Sequence, residues 1–193
     1  MSKLKKSAMA LSAAGLLAIA GYEGYSELAY QPLPGDAWTI GFGHTGGVKP
    51  GDKVSPREAL ALLKTDTRLA ERTVNRYVTV ELEQYQFDAL VSLTYNIGSS
   101  AFRRSTLLRC LNINDYPCVH KEWMRWVYFN GKPQKGLQNR RAKELYVFRG
   151  GQNTVGSDGR VCFGHGLCFT TSEILQDGGR EPDEASYSGG GEV

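Results

Sequence analysis

Histidine is scarce in this chain, with three among 193 residues. His44 has no partner that suggests a shared metal, and the four cysteines lack the CxxC spacing of a zinc ribbon. No metal site and no cofactor are therefore expected. A nucleotide-binding glycine loop is missing, as is any internal repeat, which sets aside nucleotide-driven enzymes and solenoids. Nor does any stretch reach the ~20 consecutive apolar residues of a stable membrane span.

What remains is a chain with 41% apolar content, long enough to bury one sizeable core and within the range of a single domain. Its net charge of +3 is unevenly spread. Residues 151–193 hold seven acids and two bases, so the preceding body is more basic than the total suggests. A basic body suits an anionic polymer or surface, such as peptidoglycan, anionic lipid or nucleic acid, and equally an ordinary soluble surface. The cysteines form two close pairs, Cys110 with Cys118 and Cys162 with Cys168. Three pairings are open in principle, with proximity favouring the two local ones, and buried free thiols are the alternative. Disulfides would imply an exported protein.

Export is also what the N-terminus suggests. Lys3, Lys5 and Lys6 precede the weakly apolar run from Ser7 to Ala20, and Ala18-Ile19-Ala20 satisfies the small-x-small rule for cleavage. Cleavage there would leave Glu23 as the third residue, without a preceding helix. The alternative is an uncleaved segment that first anchors the chain and later joins the fold. Its shortness and its dilution by Ala, Gly and Ser give it a marginal hold on a bilayer. A plain buried core helix is a third reading, against which the lysine flank argues.

Beyond this segment, Trp38, Ile40 and Phe42 alternate with Thr39, Gly41 and Gly43, and Pro50-Gly51-Asp52 supplies a turn, so a small hairpin sheet is expected. Ser55-Pro56-Arg57-Glu58 is a capping box with proline at the first helical position, and the spacing that follows predicts one helix from about Pro56 to Val74. Phe87, Leu90, Val91 and Tyr95 continue a helical period that Gly98 stops. Leu107, Leu108 and Leu111 mark a helix ending near Asn112; Pro117 to Val127 begins another, with Trp123 and Trp126 on one face; a last helix runs from about Asn139 to Phe148. The tryptophans suit core packing better than sugar stacking. From Gly150 onward the periodicity is lost, and Gly-rich acidic stretches read as disorder around a hairpin from Val161 to Phe169.

Several motifs in order carry more information than any one alone. They are Glu23-Gly24, Trp38-Thr39-Ile40-Gly41-Phe42-Gly43-His44-Thr45, Gln86-Phe87-Asp88-Ala89-Leu90 running into Tyr95-Asn96-Ile97-Gly98, Ser105-Thr106-Leu107-Leu108, and Gly136-Leu137 with Arg140-Arg141. With these the chain resembles the T4-type phage lysozymes, glycoside hydrolase family 24, over roughly residues 21–150. Its N-terminus resembles the signal-arrest-release segments of certain endolysins. The resemblance implies an α+β, mainly helical, two-lobed lysozyme-like fold with a small N-terminal antiparallel sheet. Residues 1–22 would be the signal-anchor, 21–150 the catalytic domain and 151–193 an acidic extension. It also implies a muramidase that hydrolyses the β-1,4 bond between N-acetylmuramic acid and N-acetylglucosamine with inversion and so lyses the host cell. The expected partners are peptidoglycan and, transiently, the host inner membrane before release to the periplasm. The protein is expected to be a monomer without a nucleic-acid partner.

Glycoside hydrolysis by inversion needs one carboxylic acid to protonate the leaving oxygen and a second carboxylate to activate water on the opposite face. A carboxyl in low-dielectric surroundings keeps its proton closer to neutral pH, which suits an acid at the end of an apolar helix. The resemblance assigns the acid to Glu23 and a catalytic threonine to Thr39. The family aspartate, nine residues after the glutamate and six before the threonine, has no counterpart: Pro32 and Leu33 stand there and the loop is one residue longer. Asp36 is the only acid between Leu28 and Thr39. It is the candidate for orienting the water, or else a simple Gly-Asp turn. Glu27 could share a face with Glu23 if the helix continued, and is otherwise a solvated acid. His44 is expected to close the sheet by hydrogen bonding. Arg140 and Arg141 either contact glycan, brace the cleft or form ion pairs. Two rival functions remain at this point, a lytic transglycosylase using Glu23 alone and a non-catalytic, membrane-attached peptidoglycan-binding protein.

Overall fold

A computed structural model describes residues 7–151 and, beyond them, the backbone of three short strands. The expected Cys162–Cys168 disulfide and the acidic extension lie outside the residues whose side chains are described. After an irregular stretch, Ser12 caps the first helix, α1 (Ala13–Glu23), its hydroxyl accepting the Gly15 amide at 3.0 Å. The helix is apolar on nearly every side, the pattern of a helix enclosed by protein rather than lying on a surface. Ala18, Ile19 and Ala20 are indeed buried in the common core. Among the described residues no helix is long and apolar enough to cross a membrane.

Gly24 ends α1 directly after Glu23, at φ 72°, a conformation that costs glycine little and other residues more. The chain then turns into β1 (Ser26–Tyr30), which pairs antiparallel with β2 (Thr39–Gly41), Ser26 opposite Gly41 and Tyr30 opposite Thr39. Because the helix stops at Gly24, Glu27 lies exposed on β1 and shares no helical face with Glu23. The expected small antiparallel sheet forms, but the strand across from Thr39–Gly41 is Ser26–Tyr30 and not the segment after Pro50-Gly51-Asp52, whose Lys53 bridges Leu28 instead; the pairing brings Thr39 back to the strand that leaves the Glu23 helix.

The single helix expected over 56–74 is two, α2 (Pro56–Asp66) and α3 (Arg68–Tyr77), joined at Thr67. The Thr67 amide still reaches the Leu63 carbonyl at 2.9 Å, but its hydroxyl also competes for the Lys64 carbonyl at 3.1 Å, and such side-chain bonds bend helices. The Ser55 capping box forms as read. Next comes α4 (Gln84–Ile97), the axis of the molecule, with Phe87 through Thr94 all buried. It packs against α1, α3 and the last helix.

Three short helices follow: α5 (Ser99–Arg104), α6 (Thr106–Asn112) and α7 (Tyr116–Trp123). The sequence reading missed α5, whose six residues are too few to show a period. A disulfide between Cys110 and Cys118 ties α6 to α7. Because α7 stops at Trp123, Trp126 is not on its face; Trp123 is wholly buried, with its ring 5.0 Å from that of Phe148. A tight hairpin of β3 (Tyr128–Phe129) and β4 (Lys132–Pro133) leads into α8 (Lys135–Phe148), which starts four residues earlier than its apolar spacing suggested. The backbone beyond forms an antiparallel sheet of β5 (Thr154–Val155), β6 (Arg160–Phe163) and β7 (Leu167–Thr170), with Cys162 in register with Cys168.

Candidate active site

The site is assembled from α1, the β1–β2 hairpin, the end of α4 and the middle of α8. Glu23 closes α1 with its side chain 23% exposed, one oxygen 2.8 Å from Nη1 of Arg140. Arg140 is itself buried and stacks at 4.9 Å over the ring of Tyr22, the residue before Glu23. Two consecutive residues of the helix end are thus held by one guanidinium. Its Nε donates to Glu144 at 3.0 Å, the next turn of α8.

Glu144 is the hub behind the site. Nearly inaccessible, it also accepts from Ser92 Oγ at 2.7 Å and from Arg141 Nη2 at 3.1 Å, while Arg141 Nη2 reaches Asn96 at 3.0 Å. Two arginines thus face two carboxylates, so the cluster is formally balanced; unpaired, any of these charges would be costly to bury. Burial lowers Arg141's pKa, whereas at Arg140 burial is outweighed by the Glu144 and Glu23 carboxylates, which raise it. Burial, and then the charge of Glu144, push the Tyr22 phenol well above its ordinary value. Ion pairing is therefore the fate of Arg140 and Arg141, and through it they brace Glu23.

Thr39 begins β2 and is buried, with its hydroxyl donating to the Ala37 carbonyl at 3.1 Å. Asp36 stands in the exposed loop between the strands. Its carboxylate accepts the Leu33 amide at 3.1 Å and its own amide donates to the Leu33 carbonyl at 3.0 Å, closing a tight turn. The structure records no contact between Asp36 and Glu23 or Thr39 among these bonds. His44 exchanges backbone hydrogen bonds with Ile40 and sets Nδ1 2.9 Å from Asp66 at the end of α2. Tyr95, on the last turn of α4, completes the wall: burial, then the negative charges of Glu23 and Asp66, push its pKa up to about 12.

Glu144, Ser92 and Asp66 went unread in the sequence. Arg140 and Glu144 do stand at i, i+4 on a helix, a spacing that invites pairing, but nothing in it tells a surface pair from a buried one.

The profile of the phage lysozyme family matches residues 20–144. The chain belongs to the phage lysozyme family. It is 41% identical over 144 residues to an endolysin of Acyrthosiphon pisum secondary endosymbiont phage 1, covering 72% of this chain and 98% of that protein. A SAR-endolysin of Enterobacteria phage P21 is 36% identical over 161 residues, 77% of this chain and 97% of its own length. Among solved structures, the muramidase domain of SpmX from Asticaccaulis excentricus superposes with a TM-score of 0.67 at 38% identity, covering 72% of this chain and 96% of that domain. A P22 lysozyme mutant gives 0.68 at 34% identity, over 73% of this chain and 99% of its own. This phage lysozyme family member is a glycoside hydrolase of the mainly helical lysozyme fold, an endolysin acting on peptidoglycan.

Proposed function

We propose that the enzyme is an inverting muramidase with Glu23 as its general acid, Thr39 holding the attacking water and Asp36 orienting it. The observation that carries the reading is the Glu23 carboxylate, partly open to solvent at the end of a buried helix and oriented by a buried arginine. Inversion requires room for a water between the two carboxyl groups, so separate placement of Asp36 and Glu23 is compatible with it. Asp36 must leave its turn with Leu33 to serve, which requires a rearrangement of the exposed residues Pro32 to Gly35. Glu23→Gln should abolish lysis of chloroform-treated Gram-negative cells while leaving the fold intact; retained lysis removes the assignment. Unchanged activity of Asp36→Asn would return that residue to a turn role. Mass spectrometry of the products separates hydrolysis, which leaves reducing ends, from transglycosylation, which leaves anhydro-muramic ends.

The N-terminal segment, residues 1–22, serves in this reading as an uncleaved anchor in the inner membrane that is released to the periplasm. Support comes from the SAR-endolysin relatives and from the packing of α1. Cleavage after Ala20 would remove Ala18 and Ile19 from the core and leave Glu23 without its helix. While residues 7–20 lie in a bilayer, Arg140 lacks its α1 partners Tyr22 and Glu23 and the site is incomplete. Activity therefore awaits release, and the released enzyme acts as a monomer. Leucine at Ser12 and Gly15 should retain the protein in the membrane and inactivate it; full activity of such a variant removes the coupling. The mass of the mature periplasmic protein distinguishes release from cleavage.

A further inference from the structure

The charges behind Glu23 must serve two states of that residue. A general acid is neutral before it donates its proton and a carboxylate afterwards. With Glu23 ionised, Arg140 and Arg141 face two carboxylates and the cluster is balanced. With Glu23 protonated, the same buried groups carry one excess positive charge, which low-dielectric surroundings penalise. Arg140 acting alone beside Glu23 would therefore favour the carboxylate and leave the acid without a proton to give.

Arg140 does not act alone. It reaches Glu23 through Nη1 at 2.8 Å and Glu144 through Nε at 3.0 Å, so two carboxylates share one guanidinium. The Tyr22 ring, 4.9 Å away, holds that guanidinium whether or not Glu23 is charged. Glu144 is fixed in turn, since Ser92 Oγ donates to its Oε1 at 2.7 Å. Its other oxygen lies 2.9 Å from Nε of Arg141, a fully enclosed residue whose Nη2 also reaches Oε1 at 3.1 Å. Arg141 forms no ion pair with Glu23 among the described residues. The Glu23 charge is felt there all the same, although burial is the larger effect and lowers the Arg141 pKa. From the other elements around the site, Tyr95 of α4 feels both Glu23 and Asp66 of α2, and Asp66 is paired with His44. Glu27 and Asp36 on the hairpin are exposed.

We propose that Glu144 and Arg141 are positioning residues that set the charge Arg140 presents to Glu23, Glu144 allowing the acid to hold its proton and Arg141 limiting that effect. The proposal rests on the reading of Glu23 as the general acid. Both residues are buried and act through Arg140 rather than on the glycan.

The test is the pH dependence of kcat/KM for release of reducing ends from purified peptidoglycan by the full chain. A general acid works only while protonated, so activity falls on the alkaline side as the proton is lost. Glu144→Gln removes a negative charge and leaves two guanidiniums near Glu23, which favours the carboxylate. The alkaline limb should then move to lower pH by about one unit. Arg141→Gln removes a positive charge and should move the limb to higher pH by about as much. Glu144 keeps Arg140 and Ser92 as partners in that variant, so it should fold and carries the test where Glu144→Gln does not. The double variant Glu144→Gln/Arg141→Gln removes a balanced pair, and its limb should lie close to that of the wild type. Tyr95, Asp66 and His44 are unchanged in all three and cannot produce shifts of opposite sign. A purely structural role would lower the rate without moving the limb. That result in Arg141→Gln, shifts of the two single variants in one direction, or a displaced limb in the double variant overturns the proposal. Failure of the general-acid reading itself has a separate signature, which is release of reducing ends by Glu23→Gln.

Discussion

Replacing Asp88 with alanine should loosen the N-terminal segment from the rest of the enzyme. Asp88 is a buried residue of α4 whose carboxylate accepts the Ser12 amide at 3.0 Å, the Ser12 hydroxyl, and Gln84 Nε2 at 2.8 Å. The first turn of α1 sits directly on it: a Cβ at Gly15 would stand 2.7 Å from Asp88 Cγ, so only glycine permits this approach. On either side, Glu71 accepts the Leu11 amide, Asn75 pairs with both backbone groups of Met9, and Gln84 donates to the Ala10 carbonyl. The membrane-like segment is thus held by polar side chains on its backbone, bonds that a bilayer cannot supply. A hydrogen bond to a charged group contributes about 1.5–3 kcal/mol, and groups left unpaired add to the loss, so Asp88→Ala should cost roughly 3 kcal/mol. Ser12→Ala should cost about 1 kcal/mol as a lost cap, and the two together less than their sum, because they share one interaction. Urea unfolding of the full chain measures all three. Hydrogen exchange at the amides of Met9, Leu11 and Ser12 should accelerate in Asp88→Ala ahead of the core. A loss below about 0.5 kcal/mol, within the range of an ordinary surface substitution, would refute the argument. So would unaltered exchange at those amides.

Glu144→Gln should be severe, costing about 3–5 kcal/mol because Arg141 is left without its buried counter-charge and Arg140 with Glu23 alone, and lytic activity should fall as Arg140 loses the anchor that positions it beside Glu23; calorimetry and a turbidity assay check both. Alkali should destabilise the protein in a defined window. The Tyr95 phenol, raised by burial and by Glu23 and Asp66 to about 12, favours the folded state while it is protonated. That contribution is complete below the unfolded value of 10.0 and is lost as pH rises from there through 12, so the melting temperature of Tyr95→Phe should change less across the interval than that of wild type. Reducing the Cys110–Cys118 bond, which spans a sequence separation of 8, should lower stability by about 2.5 kcal/mol on the loop-entropy account, readable as a lower melting temperature in dithiothreitol.

The sequence by itself determined most of the elements, because the signals involved are local. A capping box, a proline at the first turn, a glycine after the last and a 3.6-residue period act within a few residues, and they give the start of α2, and α4, α6 and α8 with boundary shifts of a few residues. Glu23 and Thr39 were singled out by the resemblance to the lysozyme family rather than by a local rule, and the short α5 and the bend at Thr67 gave no local signal.

What only the tertiary structure decided is which charges are buried together. Glu23 and Arg140 are 117 positions apart, Ser92 and Glu144 are 52 apart, and Ser12 and Asp88 are 76 apart. No periodicity relates such pairs, since each depends on which faces of α1, α4 and α8 meet. The same holds for the N-terminal segment, whose composition reads as a weak membrane signal until its packing partners are known. Apolar side chains alone would suit either a bilayer or a core; the polar cradle of Glu71, Asn75, Gln84 and Asp88, assembled from two other helices, is what favours the core.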